Sequence, residues 1–225
     1  MKTTINIIAF VAIAALSSSA CKKDKKSDEP AVETPIAPTD PPEVITTIRL
    51  ALTDSITGTT KTYAYKDPDG DGGTVGAFLN ESGTHDTIVI LSNSTYFTKI
   101  YILDESKTPT DSTSNVIGGE ESNEHMLFFN GNPAATGNYA NTIINSIVPY
   151  TIKTNGSNIL VKYLDLDNGS PQRNIGLATR WRTSGSTAGI AMPFTVVLRH
   201  QPEAKDGTFA PGETDIETEF KVLVN

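Results

Sequence analysis

Apolar residues in this chain recur at every second position, and that habit rules out most folds. From 216 to 224, Ile216, Phe220, Val222 and Val224 take one parity, while Glu217, Glu219 and Lys221 take the other. Such alternation puts one set of side chains on the buried face of a strand and the other set in water. A helix would need apolar residues three and four apart, and no segment sustains that spacing. The same period runs through Ile48, Leu50 and Leu52, which alternate with Thr47, Arg49 and Ala51, and then through Tyr63 and Tyr65. It returns at 87–91, 96–103, 125–129, 142–154, 158–166, 174–183 with the single tryptophan Trp181, and 193–200. Runs rich in Gly, Asn, Asp and Pro separate these segments, as turns require. Roughly eight to ten short strands punctuated in this way predict an all-β fold, an antiparallel β-sandwich of immunoglobulin-like type. A small β-barrel is the alternative.

Cys21 is the only cysteine, so no intrachain disulfide can tie two sheets together and the core must hold through packing. The position of Cys21 gives it another role. Met1-Lys2 opens the chain, an apolar run follows from Ile5 to Leu16, and Ser17, Ser18, Ser19 and Ala20 lead into Cys21. The apolar run is shorter than the about 20 residues a bilayer core requires. A basic start, a short apolar stretch and small residues make residues 1–20 a secretory signal. Cys21 resembles the lipobox cysteine of bacterial lipoproteins, although Ser18 stands where that pattern prefers Leu. Such a cysteine receives acyl chains such as palmitate, each buried CH₂ contributing about 0.8 kcal/mol to membrane anchoring. Residues 21–44 then read as the lipidated Cys and a disordered tether. Four lysines, several acids and Pro30, Pro35, Pro38, Pro41 and Pro42 leave it almost nothing to bury.

What remains, 45–225, is one domain of about 180 residues, long enough for a real core. The formal net charge of the chain is −8. No basic stripe is visible along it, so nucleic acid is not an expected partner. An acidic surface favours solubility and weakly favours cations as ligands.

Several segments resemble a family of Bacteroidota lipoproteins of unassigned activity. They are Asp67-Pro68-Asp69-Gly70-Asp71-Gly72, Leu103-Asp104-Glu105, Glu124-His125, Asp167-Asn168-Gly169-Ser170-Pro171, Leu198-Arg199-His200-Gln201-Pro202 and Gly212-Glu213-Thr214-Asp215-Ile216-Glu217. Members often carry the description "type 1 periplasmic binding fold superfamily protein". That binding fold is built from repeated strand–helix units, which the alternation here lacks. The resemblance implies an outer-membrane location, on the periplasmic face or the cell surface, and a link to a TonB-dependent outer-membrane transporter. Asp54-Ser55-Ile56, Asp86-Thr87-Ile88 and Asp111-Ser112-Thr113 also resemble an O-glycosylation motif of Bacteroidota, in keeping with export.

Two constellations carry candidate chemistry. Asp67, Asp69 and Asp71 alternate with Pro68, Gly70 and Gly72, which suits a calcium loop: oxygens at every second position and glycine for a sharp turn. Phe78 stands where an EF-hand would place its last glutamate, and Asp-Gly runs also form plain turns. The second group is Glu120, Glu121, Glu124 and His125, with His200 far along the chain. Imidazole with carboxylate suits zinc or another transition ion, and a histidine can also ligate a haem. Two unrelated histidines are the plainer reading, and His85 beside Asp86 is a weaker candidate. Catalytic patterns are fainter. The only cysteine is committed to the anchor, and no Gly-x-Ser-x-Gly elbow leads into a helix. The expected function is therefore a lipid-anchored, non-enzymatic binding module that captures a ligand or metal, with a calcium-stiffened structural or adhesive domain as the alternative.

Cys21→Ala is expected to abolish acylation. Incorporation of labelled palmitate into the variant at the wild-type level would show that the anchor lies elsewhere.

Overall fold

The computed structural model describes residues 43–68, 70, 77–80, 87–130, 150–154 and 157–225. Residues 1–42, with Cys21, lie outside the described residues, as do Asp69, Asp71 and His85. The described chain runs through β1 (Thr47–Asp54), β2 (Thr60–Lys66), β3 (Ala77–Asn80), β4 (Ile88–Ile90) and β5 (Thr95–Leu103). A single helical turn and a half, α1 (Thr113–Ile117), precedes β6 (His125–Asn130) and β7 (Tyr150–Thr154). The chain ends with β8 (Ser157–Tyr163), β9 (Ala178–Ser184), β10 (Met192–His200) and β11 (Glu213–Val224). No helix among the described residues is long and apolar enough to cross a membrane.

These strands make two sheets, as the alternation requires. The first is seven-stranded in the order β3-β2-β1-β5-β9-β8-β7 and curls; the second is four-stranded in the order β4-β11-β10-β6. The pairings are antiparallel except β11 with β4, where Val222, Leu223 and Val224 run parallel to Ile88, Val89 and Ile90. The fold is thus an all-β sandwich. Its first hairpin shows how sequence sets a turn. Asp54 Oδ1 accepts hydrogen bonds from Ile56 N at 2.9 Å and Thr57 N at 2.8 Å, and Gly58 takes the left-handed φ of 68° that closes the loop.

The inner faces interlock through the residues the period-two pattern picked out. Ile48, Leu50, Ile102 and Trp181 from the large sheet meet Phe194, Val196, Phe220 and Val222 from the small one, all fully or almost fully buried. Trp181 on β9 and Phe194 on β10 lie 4.6 Å apart between ring centroids and bridge the two sheets. The indole N–H donates to Thr179 Oγ1 at 2.9 Å, so the ring is buried without losing a polar partner.

The small sheet departs from simple alternation. Six successive residues of β10, Phe194 to Arg199, and all of β6 are buried. The reason is a loop, 201–212, that folds back over the outer face. Phe209 in that loop meets Phe128 edge-on at 5.2 Å, and the Arg199 guanidinium lies 4.6 Å above the Phe209 ring. Both faces of β6 and β10 therefore lose contact with water, which strands with a single covered face do not.

Trp181→Ala should cost about 3–5 kcal/mol of stability, because it removes the ring that joins the sheets and leaves a cavity. Urea unfolding of the variant is the check; a loss below about 1 kcal/mol would mean the sheets are held elsewhere.

Candidate metal centre

His125 opens β6 and is completely buried. It lies on the inner face of the small sheet, in register with His200 at the end of β10. The two imidazoles stack with centroids 4.5 Å apart and planes 5° from parallel. The two histidines, 75 positions apart in the chain, are thus brought together by the β6–β10 pairing. Glu124 joins them on the outer side, its Oε2 3.5 Å from His200 Nε2. Glu120, by contrast, is exposed and takes no part.

Three further carboxylates converge on His125. Glu121 Oε2 lies 3.5 Å from Nδ1, and Glu43 Oε2 and Asp215 Oδ2 lie 3.4 and 3.5 Å from Nε2. One ligand atom each from Glu43, Glu121 and His125 fall within 4.8 Å of one another. Glu43 Oε2, His125 Nε2 and Asp215 Oδ2 are shut off from solvent and make no well-formed hydrogen bond among the described residues. Their spacing suits a shared ion better than mutual hydrogen bonding, which wants about 2.9 Å. Two ligands each about 2.0–2.1 Å from a tetrahedral cation stand about 3.4 Å apart.

Each of these side chains is delivered by a different device. Glu121 sits in the turns after α1, where its own N–H reaches the Val116 carbonyl at 3.1 Å and its carbonyl accepts from Glu124 N at 2.9 Å. Lys205 fixes this segment from outside: its ammonium donates to the Ser122 carbonyl at 2.6 Å and pairs with Asp167 at 3.0 Å, with both charged groups only 2% exposed. Glu43 lies on the tether side of the boundary expected from sequence, next to Pro42. The backbone just beyond it is tied down by Thr46 N to the Leu103 carbonyl at 2.9 Å and Asp67 N to the Thr46 carbonyl at 2.8 Å.

Asp215 arrives by a β-bulge. Leu198 pairs with Ile216 and Arg199 pairs with Thr214, so Asp215 is the extra residue between them. A bulge bends the strand and re-aims a side chain. Here it brings to the buried imidazole a carboxylate that strict alternation would have sent outward. Arg199, beside it, donates to Thr214 Oγ1 at 2.7 Å and to the carbonyls of Pro211 and Gly212.

With every carboxylate ionised, the charges of the group do not balance. Three carboxylates face one imidazole, and the Arg199 guanidinium attracts Asp215 from the side. In that state an excess negative charge remains even with His125 protonated, and a proton shared between Glu43 and Glu121, which are in side-chain contact, is one way to remove it. A divalent cation in place of the imidazole proton brings the group to neutrality. The metal-free site responds through its proton affinities. Burial alone pushes His125 down, but the contacts and charges of Asp215 and Glu43 overcome it and hold the imidazole up at about 10, against 6.5. Burial pushes Glu43 up, yet His125 and Glu121 bring it down to about 2, against 4.5.

The other sequence candidate is only partly within view. Asp67 is buried at the start of its turn, and Gly70 follows with a left-handed φ of 66°; Asp69 and Asp71 lie outside the described residues. A separate apolar cleft of about 260 Å³ opens between Leu52, Tyr63, Leu91 and Tyr96, with Asp54 and Lys61 at its rim and none of the predicted site residues in it. Sequence reasoning singled out Glu121, Glu124, His125 and His200 but missed Glu43 and Asp215. Asp215 carried no signal beyond its place in a resembling segment. Glu43 was hidden by the proline-rich composition around it. Comparison with protein-family models, curated proteins and solved structures returned no match for this chain.

The proton affinities set a pH dependence for the metal-free protein. His125 is raised, so its contribution is complete below pH 6.5 and lost as pH climbs toward about 10. Glu43 is lowered, so its contribution is complete above pH 4.5 and lost as pH falls toward about 2. Melting temperature measured in chelator should therefore decline on the alkaline side, and His125→Gln should flatten that limb. An alkaline limb identical in wild type and variant would contradict the assignment.

Proposed function

We propose that this chain is an envelope-anchored module that binds a divalent transition cation at His125, Glu43, Glu121 and Asp215. The observation that carries the reading is the approach of Glu43 and Asp215 to one nitrogen, Nε2, of a fully buried imidazole at the spacing of ligands around one ion, with Glu121 on the Nδ1 side and ligand atoms of Glu43, Glu121 and His125 within 4.8 Å of one another. Nitrogen and oxygen donors together favour zinc, iron, manganese or nickel over calcium or magnesium, which prefer oxygen alone. The envelope address rests on the secretory pattern of 1–20 and the lipobox-like Cys21. Within this reading the family resemblance supplies the partner, a TonB-dependent outer-membrane transporter, and the cation is cargo or cofactor of that pair.

A second reading is that the ion is structural and the domain adhesive or architectural. What favours it is closure. Closed sites with little water access are the structural type, whereas catalytic ions keep an open position. Glu43, Glu121 with His125, and Asp215 also come from the start, middle and end of the domain, so one ion would clamp three distant segments. The same closure speaks against hydrolysis at this ion.

Titrating zinc into metal-free full-length chain by calorimetry tests the site. Binding should be one to one and should release about one proton near neutral pH, because the ligand imidazole must be deprotonated. His125→Ala should weaken binding by about 100-fold or more, and His200→Ala, which removes the stacking ring and its contact with Glu124, by about tenfold. Equal affinity in wild type and His125→Ala would remove the site. Calcium binding that survives His125→Ala would instead assign a cation to the Asp67–Asp71 loop. A large rise in melting temperature with zinc, without measurable exchange of the ion, would select the structural reading.

A further inference from the structure

We infer that the outer face of the seven-stranded sheet is a docking surface for an anionic lipid bilayer. The inference stands on observations separate from the metal centre. Strand parity sends Ile48, Leu50 and Leu52 of β1 and Ile100 and Ile102 of β5 inward, so the alternate positions face away from the core. Those positions carry Arg49 on β1, Lys99 on β5, Lys162 on β8, and Arg180 and Arg182 on β9. The four strands are neighbours in the order β1-β5-β9-β8, so the cations share one continuous face. Arg180 stands in register with Phe97 on one side and Lys162 on the other, and Arg182 with Thr95 and Leu160.

Among the described residues of these four strands, no acid stands on this face. β5, β8 and β9 contain no Asp or Glu, and the single acid of β1, Asp54, shares the parity of inward Leu52. Glu105, just beyond β5, pairs with Arg49 at 3.7 Å and Lys66 at 2.6 Å and so neutralises one margin only. Lys99, Lys162, Arg180 and Arg182 make no ion pair among the described residues. In a chain of net charge −8 this is segregation of charge, not a surplus of it. The outward positions of β11 on the opposite sheet include Glu217 and Glu219. Near an anionic surface such a domain is attracted with β1, β5, β9 and β8 turned toward the surface and repelled with the outward acids of β11 turned toward it.

Two aromatic rings lie among the cations. Phe97 is 48% exposed and Tyr101 38% exposed, both on β5 at the centre of the face. Neither serves the core, and aromatic rings at this level are suited to the headgroup boundary of a bilayer, where their apolar bodies find partners. The shape selects the occupant. Four strands at about 4.8 Å spacing make a broad patch, and the clefts between Leu52 and Tyr96 and between Thr46 and Ser106 are lined by other side chains. A broad patch of this kind fits a surface, whereas a linear polyanion is better held by a channel.

Vesicle partitioning of the full chain carrying Cys21→Ala tests this. That substitution removes the acyl anchor, and any apolar binding by 1–20 is shared by both vesicle types and cancels in their ratio. Phosphatidylcholine vesicles are compared with phosphatidylcholine containing phosphatidylglycerol. Anionic vesicles should be preferred at low salt, and the preference should vanish at high salt. Lys99→Gln with Arg182→Gln should lower the preference by roughly fivefold per residue, while binding to neutral vesicles stays unchanged. Lys61→Gln with Lys221→Gln makes the same change of net charge off the face and should leave the preference nearly intact. Equal partitioning of the parent chain into both vesicles overturns the inference, as does an equal effect of the two variant pairs. Binding to soluble dextran sulfate without a preference for anionic vesicles overturns it too, and points to a soluble polyanion.

Discussion

A sandwich whose chain holds a single cysteine, and so no intrachain disulfide, has only its interior to hold the two sheets face to face. The contact that does so is aromatic: Trp181 from the large sheet against Phe194 from the small one, 4.6 Å apart. Burial of rings this size contributes more than any other single term in such a core, and the indole keeps its hydrogen bond through Thr179. The second apolar contact, Phe128 with Phe209, lies on the other side of β6 and brings the 201–212 loop down over the outer face. That loop carries Lys205, which reaches Ser122 and Asp167 and so steadies the turns that present Glu121 and Glu124.

The charged cluster at the end of the sandwich is the costly part of the structure. Ionised groups lose their hydration when buried, and the loss is offset only by close partners of opposite charge. His125 has three such partners and can answer one of them fully. The imbalance is what separates this group from the Lys205–Asp167 pair, where one ammonium meets one carboxylate and a carbonyl completes its shell. A balanced pair is a structural device. An unbalanced one with ligand-like spacing points to a missing positive charge, and for that reason the proposed ion follows from electrostatics as much as from residue type.

The two outer faces of the molecule differ in the same physical sense. β11 alternates buried Phe220 and Val222 with outward Glu217 and Glu219, while the outward rows of β5, β9 and β8 hold cations and no acids. Neither arrangement affects the core, because both sets point away from it. Their separation gives the domain an electrical direction.

Period-two alternation decided the fold class from sequence alone, because strand geometry sends neighbours to opposite faces wherever one face is covered. It located β1, β5, β10 and β11 and their buried sets, and it left no room for long helices. It misjudged the outer face of β10, where a remote loop supplies a cover that no local pattern encodes. The site was half legible. Glu121, Glu124 and His125 are close in sequence and were visible as a cluster, but their meeting with His200 depends on the register of β6 against β10. Asp215 required a bulge, a one-residue slip in pairing that leaves no mark on composition. Glu43 required the start of the domain to fold back against its middle. The basic face shows the limit most clearly. Arg49, Lys99, Lys162, Arg180 and Arg182 are scattered over more than a hundred positions with no basic run among them, and only the strand order β1-β5-β9-β8 makes them neighbours. Local periodicity is a property of consecutive residues and can be read from them; strand order, register and bulges are properties of pairing between distant segments, and only the tertiary structure decides them.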